Sequence, residues 1–402
     1  MAVGEDAIPY SGSTLIALAP EHFATIQRAV AQLFRLAHSP AYQALLDADA
    51  EPVVRHAPGN FGVFMGYDFH LTPHGPRLIE VNTNAGGALL NGLHTASLCD
   101  PERLACLCSD LLPVATLEQQ IVETFAAELA AVRGPGARLA RVAIVDERPR
   151  EQFLYPEFEL FQSLFERAGI EARIAETGAL APAAGGGVEL DGWPVELVYL
   201  RDTDFALASE RARALREAYL ANAVVVTPSP REHFLLADKR RLALFSCEST
   251  LRELGVAADD ARWLASVVPE TRRLADLGTE AAWRSRAEWV FKPAASFGSR
   301  AVYRGDKISR KRFDAIAQEA SYVAQRRVEP GLVTVETTSG ARAMKFDVRA
   351  YAYRDRVLLL GARVYEGQVT NLRSPGGGFS AICVTRRQPP MAASGDAIGA
   401  PA

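Results

Sequence analysis

The chain has 402 residues, of which 49% are hydrophobic, and a formal net charge of −4. This length and apolar content suffice for two or three domains with separate cores. The lack of a basic excess argues against a surface for nucleic acid or for an anionic membrane. The sequence shows no charged segment leading into an apolar N-terminal core and no run of about 18 apolar residues. We therefore expect a cytoplasmic protein without a nucleic-acid or membrane partner.

The first part of the chain, residues 1–135, combines helices with a strand-rich segment. Apolar residues recur at helical spacing in 17–50 and again in 101–133. Between them, the stretch from about 60 to 82 predicts two strands around a turn signal at 72–76. The linker "RGPG" at 133–136 marks the first domain boundary.

The second part, residues 136–234, alternates strands and helices, which is typical of a parallel sheet of the Rossmann-like kind. The predicted strands are 141–146, 170–176, 195–202 and 223–228, and the predicted helices are 155–168 and 206–221. The alanine- and glycine-rich stretch 179–187 indicates a surface loop between them.

The third part, residues 235–385, has α+β character, so the whole chain is predicted to be a multidomain protein of α/β and α+β class. Its predicted helices are 235–254, 260–267 and 309–319, and its predicted strands are 288–293, 300–305, 321–328, 345–353 and 356–366. The stretch 386–402 is rich in Pro, Ala, Gly and Ser, which is typical of a disordered tail. The five cysteines are too scattered for a disulfide framework, and we expect them to be plain thiols.

The stretch "RLIEVNTNAGG" (77–87) ends an apolar strand with polar groups. If the preceding turn centres near His74, antiparallel pairing places Asp68 opposite Glu80. Side chains alternate along a strand, so Asn82 shares the face of Glu80. Two carboxylates and an amide oxygen suit Mg²⁺ that also binds substrate phosphates. A solvated hairpin tip with unrelated acids is the simpler alternative, although the glycines after Asn82 favour close approach of a ligand.

Lysines are scarce and therefore informative: only five of the 44 basic residues are lysine. Lys292 ends an apolar strand before a small-residue turn that contains Ser296, Gly298 and Ser299. A lysine beside free backbone N–H groups can bind phosphate oxygens. The alternative interpretation of this segment is an ordinary hairpin. Lys239, in "LLADKRRLAL", begins a predicted helix with Ala237–Asp238 as its cap, and a solvated helix end is the alternative.

These segments together resemble the ATP-grasp superfamily, whose members join a carboxylate to an amine with cleavage of ATP. In most members the lysines and the glycine loop come first and an Asp…Glu-x-Asn metal hairpin closes the domain. Here the acidic hairpin precedes "LADKRRLAL", "FKPAASFGSRAV" and "YVAQRRV". That order resembles the circularly permuted branch, of which glutathionylspermidine synthetase is a member.

The resemblance implies a role for each matching residue. ATP and Mg²⁺ would be the cofactors of a ligase that acts on small-molecule or peptide carboxylates and amines through an acyl phosphate. The implied groups are the metal ligands Asp68, Glu80 and Asn82; the phosphate-binding Lys239, Lys292, Ser296, Gly298 and Ser299; the base-contacting Gln325, Arg326 and Val328; and the catalytic Arg363 and Arg349. The predicted hairpin 289–305 would close over the nucleotide.

The sequence departs from the family at position 66, where members commonly carry an arginine and this chain carries Gly66. Two outcomes are open at this position: Arg55 or another arginine takes the missing role, or stabilisation of the acyl phosphate is impaired. Two alternatives stay open: an ATP-grasp phosphotransferase and a degenerate nucleotide-binding module. We expect the acceptor pocket to be lined by residues after Asn82 and by the N-terminal helices. The substrates and the oligomeric state have no signature in the sequence, and a homodimer is the default expectation.

Overall fold

The computed structural model describes residues 9–48, 50–98, 114–294, 301–319, 321–337, 340–368 and 370–385. In that part, the α-helices are Pro20–Ala37, Pro40–Asp47, Pro52–Arg55, Ala88–Leu98, Val114–Arg133, Tyr155–Arg167, Arg213–Leu220, Pro230–Glu232, Arg241–Phe245, Glu248–Glu253, Ala258–Val267, Leu274–Leu277, Thr279–Arg284 and Arg310–Ala317. The hydroxyls of Ser39, Ser229 and Ser309 accept a backbone N–H hydrogen bond at the start of three of these helices. Such caps satisfy N–H groups that the helix itself leaves free.

A seven-stranded sheet, which we call the large sheet, joins both ends of the described chain. Six of its strands follow the spatial order Tyr10–Leu18, Gly378–Val384, Arg356–Tyr365, Gly340–Tyr353, Met65–Thr72 and Gly75–Asn82, and the seventh, Gly331–Thr337, also pairs with Gly340–Tyr353. The first pair is parallel and the other pairs are antiparallel. The acidic hairpin (Met65–Asn82) therefore lies directly beside the hairpin Gly340–Tyr365, which we call the arginine hairpin.

The helix Pro20–Ala37 shares its core with the acidic hairpin. Ile26, Val30 and Leu33 are fully buried in one hydrophobic cluster with Tyr67 and Phe69. Their spacing of four and three residues puts them on one face of the helix. Full burial of such side chains contributes roughly 1.5–3 kcal/mol each, so this helix fixes the hairpin's apolar face and leaves its polar face towards the site.

A second sheet consists of four parallel strands, in the order Val225–Thr227, Leu197–Leu200, Arg141–Asp146 and Glu171–Glu176. These strands occur at the four stretches that the sequence predicts. Val142 and Ile144 face one core and Ala143 and Val145 face another, as expected for parallel strands covered on both faces. All four strands end at the same edge, which we call the carboxyl edge of the parallel sheet.

Two smaller sheets complete the described part. The antiparallel sheet has the order Thr271–Arg273, Tyr322–Arg326, Trp289–Pro293 and Tyr303–Arg304, and the remaining three-stranded sheet consists of Ala181–Pro182, Val188–Leu190 and Trp193–Val195. Phe291 and Phe313 pack together in the core of the antiparallel sheet. The prediction of a loop over 179–187 is therefore wrong at Ala181–Pro182. This strand has only two residues, and the alanines around it show no apolar alternation.

The predicted helix 235–254 is interrupted. A π-helical turn, His233–Ala237, is followed by a break, and the next helix is Arg241–Phe245. The break is an Asx turn, in which Asp238 Oδ1 accepts a hydrogen bond from the Arg240 backbone N–H at 2.9 Å. Lys239 consequently lies in this turn, two residues before the helix begins.

The sequence analysis misses three strands and is wrong about one cysteine, and one of its predictions concerns residues that the structure does not describe. The strands Tyr10–Leu18, Gly331–Thr337 and Gly378–Val384 are missed, and glycine and serine interrupt the apolar pattern in the first and the last of them. Cys383 is disulfide-bonded, so the prediction of plain thiols is wrong for it. The predicted tail 386–402 lies outside the described residues.

Candidate active site

The acidic hairpin pairs Asp68 directly with Glu80, as predicted. The pairing depends on a β-bulge: Phe69 pairs with Leu78, so Ile79 is an extra residue between the two pairs. Without the bulge, Asp68 would face Ile79, and Glu80 would turn to the opposite face of the sheet. The bulge thus decides which face carries both carboxylates.

Two arginines of the arginine hairpin hold Asp68. Arg349 pairs opposite Asp68 and donates from Nε and Nη2 to its two carboxylate oxygens, both at 2.7 Å. Arg363 Nη2 and Asn82 Nδ2 also donate to Oδ2, at 2.8 and 3.0 Å. Burial alone would raise the pKa of Asp68, but the two arginines outweigh it and lower the pKa. Asp68 is therefore an anion that already accepts four hydrogen bonds.

Asp347 holds Arg363 from the other side. Arg363 Nε donates to Asp347 Oδ1 at 2.7 Å, and the Thr370 hydroxyl donates to Asp347 Oδ2 at 2.8 Å. Asp347 is completely buried. Because a guanidinium has five N–H donors in a planar fork, Arg363 can be fixed by two carboxylates and still offer N–H groups to the cleft that it lines.

Two buried lysines stand beside Glu80. Lys239 Nζ lies 3.1 Å from Glu80 Oε1. Lys292 Nζ donates to the carbonyl oxygen of Ile79 at 2.9 Å and to Gln325 Oε1 at 2.7 Å. Burial, reinforced by Lys239 and partly offset by Glu80, lowers the pKa of Lys292 to about 8. Burial would raise the pKa of Glu80, but the two lysines lower it.

A cleft of about 490 Å³ lies between the large, parallel and antiparallel sheets. This volume is within the range of roughly 300–1,000 Å³ that is usual for small-molecule sites. Ten of the predicted site residues line it: Asp68, Glu80, Asn82, Lys239, Lys292, Gln325, Arg326, Val328, Arg349 and Arg363. The remaining three, Ser296, Gly298 and Ser299, lie outside the described residues. Their predicted role in phosphate binding stays a prediction.

The segment predicted to contact a flat base, Gln325–Val328, forms one wall of the cleft. Arg326 turns towards Glu270, to which its Nε donates at 3.0 Å. His70 Nδ1 donates to the Val328 carbonyl at 2.8 Å, since a carbonyl oxygen can only accept. Burial lowers the pKa of His70, so the neutral ring offers Nε2 as an acceptor beside the wall. No sequence motif marks this histidine.

Gly66 leaves room for Arg349. A Cβ atom at Gly66 would lie 2.5 Å from the Cβ of Ala85 and 3.4 Å from Nε of Arg349. Arg349, on the neighbouring strand, is thus a candidate for the arginine that the sequence resemblance leads us to expect near position 66. Arg55, the other candidate, donates instead to the Ala50 carbonyl at 2.6 Å.

The donor set fits Mg²⁺ only in part. Glu80 and Asn82 bring oxygen ligands to the cleft, and Mg²⁺ usually completes its shell with water and substrate phosphates. Both oxygens of Asp68 are engaged by donors, and a metal ion there must displace at least one of them. In the described part, no group of three or more His, Cys, Asp and Glu is arranged for a metal.

The cleft is also lined by residues that sequence reasoning missed: Asp146, Gln152, Phe153, Leu154, Phe158, Arg201, Thr203, Phe205 and His233. Thr83, Asn84 and Gly86, which follow Asn82, also line the cleft, whereas no described residue of the helices between 20 and 55 does. The prediction about the acceptor pocket stays a prediction. The position of two of the missed residues in the chain could have revealed them. Asp146 ends one parallel strand and Arg201 directly follows another, and ligands of open parallel sheets bind at the carboxyl ends of the strands.

No described helix is both long and apolar enough to cross a bilayer. No family model matches the chain, and no curated protein matches it significantly. Among solved structures, the chain is similar to a candidate gamma-glutamylcysteine synthetase from Methylobacillus flagellatus KT, with 13% identity and a TM-score of 0.47 over 92% of this chain and 87% of that one.

Two further similar structures are named as a ligase and a synthetase. One is the ATP-grasp ligase PsnB with a phosphomimetic variant of its minimal precursor, Mg and ADP, with 19% identity and a TM-score of 0.29 over 56% of this chain and 89% of that one. The other is the D-cycloserine synthetase DcsG, with 15% identity and a TM-score of 0.28 over 61% and 90%. All three TM-scores lie below 0.5, so the function is inferred from the residues of the cleft.

Proposed function

We propose that the protein is an ATP- and Mg²⁺-dependent carboxylate–amine ligase with an ATP-grasp core in circularly permuted order and a Rossmann-like parallel domain. One observation carries this proposal. Residues from separate segments between Asp68 and Arg363, each selected from sequence alone, line a single cleft. A chance set of hairpin tips and helix ends would scatter over the surface.

The charges of the cleft suit a nucleoside triphosphate. Lys239 and Lys292 lie beside Glu80, where they would neutralise phosphate oxygens as compact point charges. The wall Gln325–Val328 offers an edge for the base. Because both lysines are buried, their attraction to phosphate is weakly screened by solvent.

Glu80 and Asn82 would hold Mg²⁺, which supplies charge neutralisation for the β- and γ-phosphates. Asp68 has a different part in this arrangement. By accepting hydrogen bonds from Arg349 and Arg363, it fixes two guanidiniums at the same end of the cleft as Glu80. Those guanidiniums would stabilise the charge that spreads over a transferred phosphoryl group.

The chemistry then has two steps. A substrate carboxylate oxygen attacks the γ-phosphorus, the bond from that phosphorus to the bridging oxygen breaks, and ADP leaves. The amine nitrogen next attacks the carbonyl carbon of the acyl phosphate, phosphate leaves, and the nitrogen loses a proton. Arg363 would bind the transferred group, and the hairpin Trp289–Arg304 would exclude water that hydrolyses the intermediate.

The test is to assay ADP and phosphate separately while pools of acids and amines are added with ATP and Mg²⁺. A ligase releases both products, and the release depends on an acid and an amine together. A phosphotransferase gives ADP without phosphate, and a binding module gives neither product. Lys239→Met should abolish the dependence, whereas Lys307→Met, an exposed lysine away from the cleft, should retain it.

A further inference from the structure

The end of the cleft at the carboxyl edge of the parallel sheet contains an incompletely paired cation. Arg201 follows the strand Leu197–Leu200, and its backbone N–H donates to the Val145 carbonyl at 2.8 Å. Its side chain lines the cleft and is 5% exposed. The chain runs close to this guanidinium at Gly86, where a Cβ atom would lie 2.8 Å from Arg201 Nη2.

In the part of the chain that the structure describes, Arg201 donates no hydrogen bond to a carboxylate. Nη1 donates to the Tyr199 hydroxyl at 2.9 Å, and Nε has no hydrogen-bond partner. The carboxylate nearest to it, Glu157, is 3.8 Å away and accepts instead from the backbone N–H groups of Gly87 and Leu89, at 2.8 and 3.1 Å. A guanidinium this deeply buried normally has hydrogen-bonded anions around it.

A carboxylate of opposite charge lines the same end. Asp146 is the last residue of the neighbouring strand and is 7% exposed. Its Oδ1 accepts a hydrogen bond from the Glu147 backbone N–H at 2.7 Å, and no arginine or lysine of the described part lies within salt-bridge distance of it. Burial raises the pKa of Asp146 to about 6, against the opposing effects of the Glu147 N–H hydrogen bond and of the charge of Arg201.

Neutral polar and aromatic groups also line this part of the cleft. Asn84 donates from Nδ2 to the Arg201 carbonyl, while its buried Oδ1 has no hydrogen-bond partner in the described part. His233 stacks on Phe205 with ring centroids 4.0 Å apart, and it is hydrogen-bonded to the Thr83 hydroxyl. Both rings line the cleft, so a flat apolar wall adjoins the charged groups.

We propose that this end binds the amine substrate as an amino acid or the end of a peptide, with the carboxylate on Arg201 and the ammonium group on Asp146, whose carboxylate accepts the proton that the nitrogen must lose before it attacks. The inference rests on the proposed ligase function, because it assigns the second substrate of that reaction. A zwitterion would give Arg201 a hydrogen-bonded carboxylate and Asp146 a hydrogen-bonded cation, and neither side chain has such a partner in the described part of the chain. Charge-assisted hydrogen bonds of this kind, formed away from water, give both affinity and selectivity.

The test is binding of the twenty L-amino acids, measured by saturation-transfer NMR and then by calorimetry, with and without a non-hydrolysable ATP analogue and Mg²⁺. Each amino acid that binds is compared with its carboxamide and with its decarboxylated amine. Loss of the carboxylate should weaken binding at least tenfold. Arg201→Met should do the same, and Arg201→Lys, which keeps the buried charge, should bind more weakly than wild type but fold normally.

Arg211→Met is the matched control, since Arg211 sits near the same edge, pairs with Asp202 at 3.0 Å and does not line the cleft. It should bind amino acids as wild type does. Asp146→Asn should weaken binding of the zwitterion and leave nucleotide binding unchanged. Wild type that binds nucleotide but no amino acid, or that binds carboxamides equally well, overturns this inference and leaves the ligase proposal standing. Wild type that binds no nucleotide overturns the ligase proposal instead.

Discussion

At the scale of single residues, the site is a set of buried charges that hold one another in place. Asp68 lies between Arg349 and Arg363, and Arg363 lies between Asp68 and Asp347. Buried ions of this kind are costly when one partner is removed, because the other charge stays behind in a low-dielectric environment. Glu80 is different, since its side chain is 24% exposed. Substitution of Asp68 should therefore lower the free energy of unfolding more than substitution of Glu80 does.

Asp68→Asn should lower the free energy of unfolding by about 3–5 kcal/mol, because two guanidiniums lose a shared anion. The pKa of Asp68 is lowered from its usual value of 3.8, so its contribution to stability is present above that value and is lost as the pH falls through the folded-state pKa. The measurement is urea unfolding of both proteins at several pH values. Glu80→Gln is the comparison and should cost less than Asp68→Asn, because Glu80 is partly exposed and accepts from one lysine, whereas Asp68 is held by two guanidiniums. Equal losses for the two variants would contradict the distinction.

Lys292 should take up a proton when nucleotide binds. Its pKa of about 8 leaves it largely neutral at pH 8.5, and phosphate oxygens favour the charged form. Binding at pH 8.5 should therefore be accompanied by uptake of roughly three quarters of a proton, and affinity should fall as the pH rises through 8. Calorimetry in buffers of different ionisation enthalpy measures the uptake.

The matched variants for that experiment are Lys292→Met and Lys307→Met. The first should bind nucleotide weakly and take up less proton, whereas the second should behave as wild type does, because Lys307 is exposed and does not line the cleft. Uptake that persists undiminished in Lys292→Met would assign the proton to another group.

At the scale of elements, strand register brings these residues together. Asp68 pairs with Glu80 only because Ile79 forms a bulge, and Arg349 pairs opposite Asp68 across the two hairpins. The pairing of Asp68 with Glu80 could be predicted, since a hairpin centred on His74 gives the same partner. The bulge could not, because no residue type marks it. The contact with Arg349 could not be predicted either, since it joins strands far apart in sequence.

Gly66→Ala tests how tightly these strands fit. The added Cβ would lie 2.5 Å from the Cβ of Ala85, so either the strand Met65–Thr72 or the segment that contains Ala85 must shift. Overpacking of this kind costs roughly 1–3 kcal/mol. The shift would also move Arg349 and should weaken nucleotide binding. Thermal and urea unfolding measure the first effect, and calorimetry measures the second. Gly136→Ala, where a Cβ would meet nothing within 4 Å, should change neither; equal effects of the two substitutions would refute the close fit at Gly66.

At the scale of the whole molecule, the cleft exists because three sheets meet. Sequence patterns predicted the four parallel strands and both hairpins, since their apolar periodicity and turn residues are local signals. They did not predict that Asp146 and Arg201 would face the acidic hairpin, because that depends on how the second core, with Ile144 and Tyr351, packs the sheets together. Long-range packing of this kind has no local signature.

Nucleotide binding should slow amide hydrogen exchange across the junction of the sheets. Lys292 connects the strand Trp289–Pro293 to Ile79 of the acidic hairpin, so a ligand on Lys292 should protect that strand and Tyr322–Arg326. The parallel strand Glu171–Glu176 does not line the cleft and serves as the internal control. Mass spectrometry of exchanged peptides gives the answer, and uniform protection of all strands would argue for a global effect rather than closure at the cleft.

The most direct test of the ligase account is calorimetric binding of a non-hydrolysable ATP analogue to wild type and to Glu80→Gln, with and without Mg²⁺. We expect wild type to bind the analogue more tightly with Mg²⁺ and Glu80→Gln to lose this dependence while it remains folded. A wild-type protein that binds no nucleotide under any of these conditions would contradict the assignment of the cleft.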